Sequence, residues 1–136
     1  MELSLIDTDI LSELLKRRNA NVVRSAAQYF AEYQEFAISA ITRYEVMRGL
    51  KHKGASSQLK KFNEFCEHAT VFSVSNEILD RASDLWVEAR TSGRPGRDPD
   101  LIIAATALHV GRTLVTGNVD HFSWISGLAI EDWRKG

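Results

Sequence analysis

Asp98 and Asp100 flank Pro99 at the head of an apolar run over residues 101–110, and two further acids, Asp7 and Glu45, each follow an apolar stretch, residues 3–6 and 36–41. Taken singly, each acid has a plain structural role. A carboxylate at a helix N-terminus accepts from free backbone N–H groups and complements the helix dipole, and Thr42-x-x-Glu45 has the spacing of a capping box. Taken together, the acids fall where strands hand over to helices, which in an open α/β sheet is the functional edge. Two carboxylates about 4 Å apart repel by about 4 kcal/mol at an effective dielectric of about 20. A convergent set is therefore costly unless a cation sits in it, and oxygen-only donors suit Mg2+ or Mn2+. The histidines, at positions 52, 68, 109 and 121, show no paired spacing of the zinc-site kind. The chemistry such a set supports is metal-assisted hydrolysis of a phosphodiester.

The elements that would carry these acids follow from the hydrophobic pattern. Residues 3–6 read as a strand, followed by a helix with Ile10, Leu11, Leu14 and Leu15 on one face and a second helix over 20–33. A strand over 36–41 leads into a helix from Thr42 to about Leu50, and residues 56–68 form an amphipathic helix with Leu59, Phe62, Phe65 and Cys66 on one side. After a strand over 71–74, Ser75 caps a long helix whose stripe includes Ile78, Ala82, Leu85 and Ala89. A Gly/Pro-bearing loop over 91–96 precedes the helix opened by Pro99, and strands over 113–116 and 128–130 close the chain. Strands alternating with helices predict a mainly parallel sheet covered on both faces. The 136 residues read as a single domain with no repeat, linker or low-complexity segment.

Four segments in order, Asp7-Thr8-Asp9-Ile10-Leu11-Ser12-Glu13, Ser39-Ala40-Ile41-Thr42-Arg43-Tyr44-Glu45, Asp100-Leu101-Ile102-Ile103-Ala104-Ala105-Thr106-Ala107 and Leu114-Val115-Thr116-Gly117-Asn118, together resemble the PIN domain. More closely, they resemble the VapC toxins of bacterial toxin–antitoxin pairs, down to the closing Gly-Leu-Ala-Ile-Glu-Asp-Trp at residues 127–133. The resemblance implies a three-layer α/β fold with a five-stranded, mainly parallel sheet, and a Mg2+- or Mn2+-dependent endoribonuclease. On that reading Asp7 and Asp100 hold the metal most directly, Glu45 completes the ligand set or orients the attacking water, and Thr116 and Asn118 position a water or a phosphate oxygen. Many PIN domains carry Asp at the position of Asn118, which also reads as a turn residue. Asp9, Asp98 and Asp120 are therefore candidate compensating acids, although Asp9 and Asp98 read more simply as helix caps. The resemblance further implies an RNA substrate, with tRNA among the candidates, a homodimer, and a cognate VapB-like antitoxin that blocks the site. The antitoxin is expected on the first two helices, around Ile10, Leu14, Leu15 and Val22.

Net charge is −1, but the first half of the chain is rich in lysine and arginine. Arg43, Arg48 and Lys51 on the helix carrying Glu45, with Arg94 and Arg97 before Asp98, are the expected contacts to RNA phosphates. Such contacts hold a strand without choosing its sequence. Trp124 and Trp133 read as packing residues. The single Cys66 excludes an internal disulfide, and no apolar run approaches the roughly 20 residues of a membrane span. With no signal peptide in evidence, a reducing cytoplasm is the expected compartment. Two rival functions compete. Asp7-Thr8-Asp9 also resembles the opening of haloacid-dehalogenase phosphatases, but Gly117-Asn118-Val119-Asp120 stands where that family needs a later acid motif, and Glu45 would be idle. The other rival is a non-catalytic nucleic-acid-binding module whose acids are purely structural.

Overall fold

The structure, a computed structural model, describes residues 1–136. Five short strands alternate with helices: β1 (Ser4–Ile6), α1 (Thr8–Lys16), α2 (Ala20–Tyr33), β2 (Ala37–Ser39), α3 (Ala40–His52), α4 (Ser56–His68), β3 (Thr70–Phe72), α5 (Asn76–Ser92), α6 (Asp98–Val110), β4 (Thr113–Val115), α7 (Val119–Phe122) and β5 (Ile130–Glu131), with a final 3-10 turn at Trp133–Lys135. Every ladder is parallel, as the alternation predicts. β4 pairs with β1 on one side (Leu5 opposite Leu114) and β5 on the other, while β2 pairs with β3. β2 lies beside β1 without a continuous ladder, so the spatial order is β3-β2-β1-β4-β5, with the hydrogen bonding divided into a three-stranded and a two-stranded sheet.

The pleat explains the three layers. Successive strand residues point to opposite faces, and Leu5, Ala37 and Leu114 join one core cluster with Ile78, Leu85 and Ile103 of α5 and α6. Their neighbours Ile6, Ile38 and Val115 join the other with Ile10, Val22, Val46 and Phe62 from α1 to α4. The central strands β1, β2 and β4 are thus buried on both faces, while the flanking β3 and β5 are half-buried. Trp133, 1% exposed, closes the second cluster against Tyr29, at 5.7 Å between ring centroids, in keeping with a packing role.

Several boundaries differ from the sequence reading. Phe36–Ile41 was too long a strand: Ser39 Oγ accepts from Ile41 N–H at 3.2 Å, and α3 begins at Ala40. Thr42 is therefore inside the helix and fully buried, and the capping-box reading of Thr42 and Glu45 fails because a nearer hydroxyl takes the cap. The third and fifth strands shift to Thr70–Phe72 and Ile130–Glu131, and the one-turn α7 was not anticipated. Ser75 caps α5 as expected, accepting from Ile78 N–H at 3.2 Å. No helix is long and apolar enough to cross a membrane.

Candidate active site

All strands being parallel, their C-terminal ends share one edge, and the chain reverses its direction of winding between β1 and β4. That is the switch point where open α/β sheets bind ligands. Asp7 stands there, 3% exposed. Its Oδ1 accepts from Thr8 N–H at 2.7 Å, capping α1, and its Oδ2 accepts from Thr116 Oγ1 at 2.8 Å across the switch. The same Thr116 oxygen accepts from Asn118 N–H at 3.0 Å, so one buried hydroxyl fixes both the carboxylate and the loop after β4. Asp7 has no basic partner among the ion pairs. Burial above all, with the charges of Asp9 and Asp100, pushes its carboxyl from the usual 3.8 up to about 7.

Asp9 corrects an expectation. It does not cap α1, because Asp7 does; its Oδ1 accepts from Ile10 N–H at 2.8 Å and its Oδ2 from Gly117 N–H at 2.9 Å. Burial raises its pKa as well, opposed by those bonds and by Arg134. Arg134 donates to Gly117 O at 2.6 Å and pairs with Asp132 at 3.2 Å. A Cβ on Gly117 would lie 2.4 Å from the Arg134 guanidinium carbon and 2.7 Å from Asp9 Oδ2, so any side chain here would have to displace Arg134 and Asp9 from these positions.

Glu45 reaches the edge from α3. Its Oε1 accepts from Thr8 Oγ1 at 2.8 Å, and that hydroxyl lies 3.1 Å from Thr42 Oγ1. Its other oxygen is 3.8 Å from Arg48. Asp100, in the first turn of α6, lies 3.7 Å from Arg97 Nε and 3.4 Å from His121 Nδ1. Asp98 is the first residue of α6 and not its cap; the cap position falls to Arg97, which makes no side-chain bond there. Asn118 is exposed at the head of α7 and its side chain caps nothing, and Asp120 is exposed in the first turn of α7, without a bond to the carboxylates.

The structure therefore brings Asp7, Glu45, Asp100, Thr116 and Asn118 to one edge and leaves Asp98 and Asp120 at its margin. Thr8, His121 and Arg134 were missed by the sequence reading. Of the basic residues singled out, Arg97 and Arg48 are partnered with site acids, Arg43 stands beside Cys66 of α4, and Lys51 is exposed in the last turn of α3. Ile10 and Val22, expected in a docking groove, are 0% exposed because they pack into the core; Leu15 is open, at 38%. A groove of about 300 Å3 does open beside it, lined by Leu15, Lys16, Val46, Leu50 and Phe62 among others.

No three His, Cys, Asp or Glu side chains converge into a preformed metal cage. The donor chemistry nonetheless fits a hard divalent cation. The edge offers carboxylate and hydroxyl oxygens, and Asp7 is a buried acid whose ionised form lacks a positive partner.

A PIN-domain family model matches residues 4–127, and the chain belongs to the PIN-domain family. Its relatives within that family are VapC proteins. The chain is 32% identical over 120 residues to ribonuclease VapC19 of Mycobacterium tuberculosis, covering 88% of this chain and 92% of that one. It is 26% identical over 132 residues to ribonuclease VapC1 of Haemophilus influenzae, covering 96% and 98%. Among solved structures, DNA-bound VapBC from Salmonella typhimurium matches with a TM-score of 0.84 at 25% identity, over 98% of this chain and 99% of that one. The resemblance carried by the four sequence segments is borne out, and nothing among these relatives favours the phosphatase rival.

Proposed function

We propose that this protein is a metal-dependent endoribonuclease of the VapC kind, acting as one domain in a reducing cytoplasm and held inactive by a VapB-like antitoxin. The observation that carries this reading is Asp7: a buried carboxyl at the switch point, oriented by Thr116 and Thr8, raised to about 7 and facing further acids. Such an arrangement is expensive to keep unless the charge is used. The relatives' names, ribonuclease VapC and, for a Shigella flexneri protein 25% identical to this chain, tRNA(fMet)-specific endonuclease, support RNA as substrate.

Asp7 and Asp100 would hold the cation, Mg2+ or Mn2+. When bound, it supplies positive charge against the scissile phosphate and lowers the pKa of the attacking water. Glu45, kept in place by the Thr8 hydroxyl, orients that water and takes its proton. Thr116 holds Asp7 in a single orientation, and Asn118 contributes a neutral amide to the substrate phosphate where an acid would repel it. Asp9 braces Gly117 and is structural. Arg48, Lys51 and Arg97 contribute to RNA binding from the rim, with Arg43 further out.

The antitoxin occupies the groove beside Leu15, Lys16 and Leu50, and a second copy of the chain completes a homodimer. The test is cleavage of a structured-RNA pool by partner-free protein with Mg2+ or Mn2+, with and without EDTA, beside Asp100→Asn. Cleavage should stop in EDTA and fall more than about 100-fold in the variant. An EDTA-resistant activity, or a fully active Asp100→Asn, removes the reading, and complete inactivity would favour the binding-module rival.

A further inference from the structure

Two residues of the site are joined by the residue least able to hold its own conformation. Thr116 bonds Asp7, Asn118 borders the edge, and Gly117 stands between them. With no Cβ to restrict it, a glycine leaves the backbone free unless something else fixes the peptides around it. In this chain both polar groups of Gly117 are held by side chains from distant segments. Its N–H donates to Asp9 Oδ2 at 2.9 Å, and its C=O accepts from Arg134 Nη2 at 2.6 Å.

Arg134 is itself held on every side. Its Nε and Nη2 reach Asp132 Oδ1 and Oδ2, each at 3.2 Å, and its N–H donates to the same Oδ1 at 2.9 Å. That carboxylate is only 5% exposed. The backbone of the C-terminal turn is anchored as well: Trp133 is buried against Tyr29, and Asn21, in the first turn of α2, donates to Arg134 O at 2.8 Å. Just upstream, Glu131 O accepts from Thr116 N–H at 3.0 Å. Residues 131–134 therefore grip the chain at Thr116 and again at Gly117, and the guanidinium fills the space beside the glycine, its Nε 2.6 Å from where a Cβ would stand. Arg134 makes no bond to Asp7, Glu45 or Asp100; its side chain bonds only Gly117 O and Asp132.

Resting on the ribonuclease reading above, we propose that Arg134 is a positioning residue. It locks the Gly117 peptide, and so sets the placement of Asn118 relative to the Thr116 hydroxyl that orients Asp7. It acts through the backbone and not by meeting the RNA. The planar fork of arginine spans a carbonyl and a carboxylate at once, which the single ammonium of lysine on its flexible stem does not reproduce. Freed from this clasp, the loop would let Asn118 drift, and a misplacement of about 1 Å at a reacting centre can cost about 100-fold in rate.

The test compares wild type with Arg134→Gln and Arg134→Lys by two measurements. The first is amide hydrogen exchange in metal-free protein, followed residue by residue. In Arg134→Gln the amides of Gly117 and Asn118 should exchange several-fold faster, while those of Asp7 and Leu114, bonded to Val115 O and Ala129 O, keep their rates. The second is cleavage of a labelled RNA in Mn2+ over a range of salt. Here kcat should fall about 10-fold in Arg134→Gln, KM and its salt dependence should hold within about twofold, and Arg134→Lys should recover less than half of the loss. Unchanged exchange at Gly117 and Asn118 overturns the clasp, and so does equal acceleration at all four amides, which would mean general loosening of the fold. A raised KM with a flatter salt dependence and an unchanged kcat would make Arg134 a phosphate contact, and full recovery by lysine would make its charge the only thing that matters; either overturns the positioning role. A wild type that cuts no RNA, while the two amides still loosen in Arg134→Gln, removes the ribonuclease reading and leaves the clasp on Gly117 standing.

Discussion

Asp7 does two jobs that are usually given to different residues. It caps α1 through Thr8 N–H and holds the site through Thr116, and both roles sit in a buried carboxyl whose pKa is about 7 against the usual 3.8. The raised value means that the folded state binds a proton more tightly than the unfolded state. Stability from this group is complete below about pH 4 and is lost as pH rises through 7, at up to about 1.4 kcal/mol per unit. In EDTA, the melting temperature of wild type should therefore fall between pH 5 and pH 8 by more than that of Asp7→Asn, which has no proton to lose. The same variant should be inactive on RNA, so removing this acid trades function for stability. A melting curve of Asp7→Asn that fell in parallel with wild type would contradict the assigned burial. Thr116→Val removes the hydroxyl that serves Asp7 and Asn118 together; RNA cleavage should drop by about 10- to 100-fold, with Thr116→Ser recovering most of it, as read from kcat/KM. Thr116 was found by its place after a strand. Thr8, one residue from Asp7, went unnoticed because its partner Glu45 is 37 positions away.

At the level of elements, local chemistry decides where helices start and stop, and tertiary contact decides what those ends face. Ser39, Ser75 and Asn19 each cap a helix with a side-chain oxygen. Ser39→Ala should cost about 1 kcal/mol in urea unfolding. It should also lower activity, since Glu45 rides on the helix that Ser39 begins. The turn between α5 and α6 is tighter than its glycines and proline suggest. Gly96→Ala forces a methyl to within 2.8 Å of Ala89 Cβ, and the two helices cannot part without moving Asp100. A loss of about 1 to 3 kcal/mol in the urea midpoint is expected, and an unshifted midpoint would show that the turn gives way. The sequence shows this segment only as a Gly/Pro-bearing loop, because Gly and Pro mark both flexible and tightly packed turns. Only the distance to α5 separates the two.

In the whole molecule, β4 is the strand on which both cores and the site depend. Leu114 faces α5 and α6, Val115 faces α1 to α4, and Thr116 follows directly into the active edge. Leu114→Ala should cost about 2 to 5 kcal/mol, read as a shift in thermal midpoint, which is the largest loss expected of any single truncation proposed for this chain. The sequence by itself determined the class of fold, because alternating apolar strands and amphipathic helices have few ways to bury both faces of a parallel sheet. It also marked Asp7 at the end of a strand and Asp100 in the first turn of a helix, whereas Glu45 reaches the edge from within α3, held by a hydroxyl 37 positions away. The tertiary structure alone decided which of them meet and what holds them. Asp9 bonds Gly117 across 108 positions, and His121 and Arg134 reach the site from segments with no motif of their own. The basic residues followed the same division: they are plain to count in the sequence, but their partners depend on packing, which turned Arg48 and Arg97 onto site acids. Hydrophobic periodicity is a local property and survives in one dimension, whereas a hydrogen bond or ion pair between distant segments exists only once the chain has closed on itself.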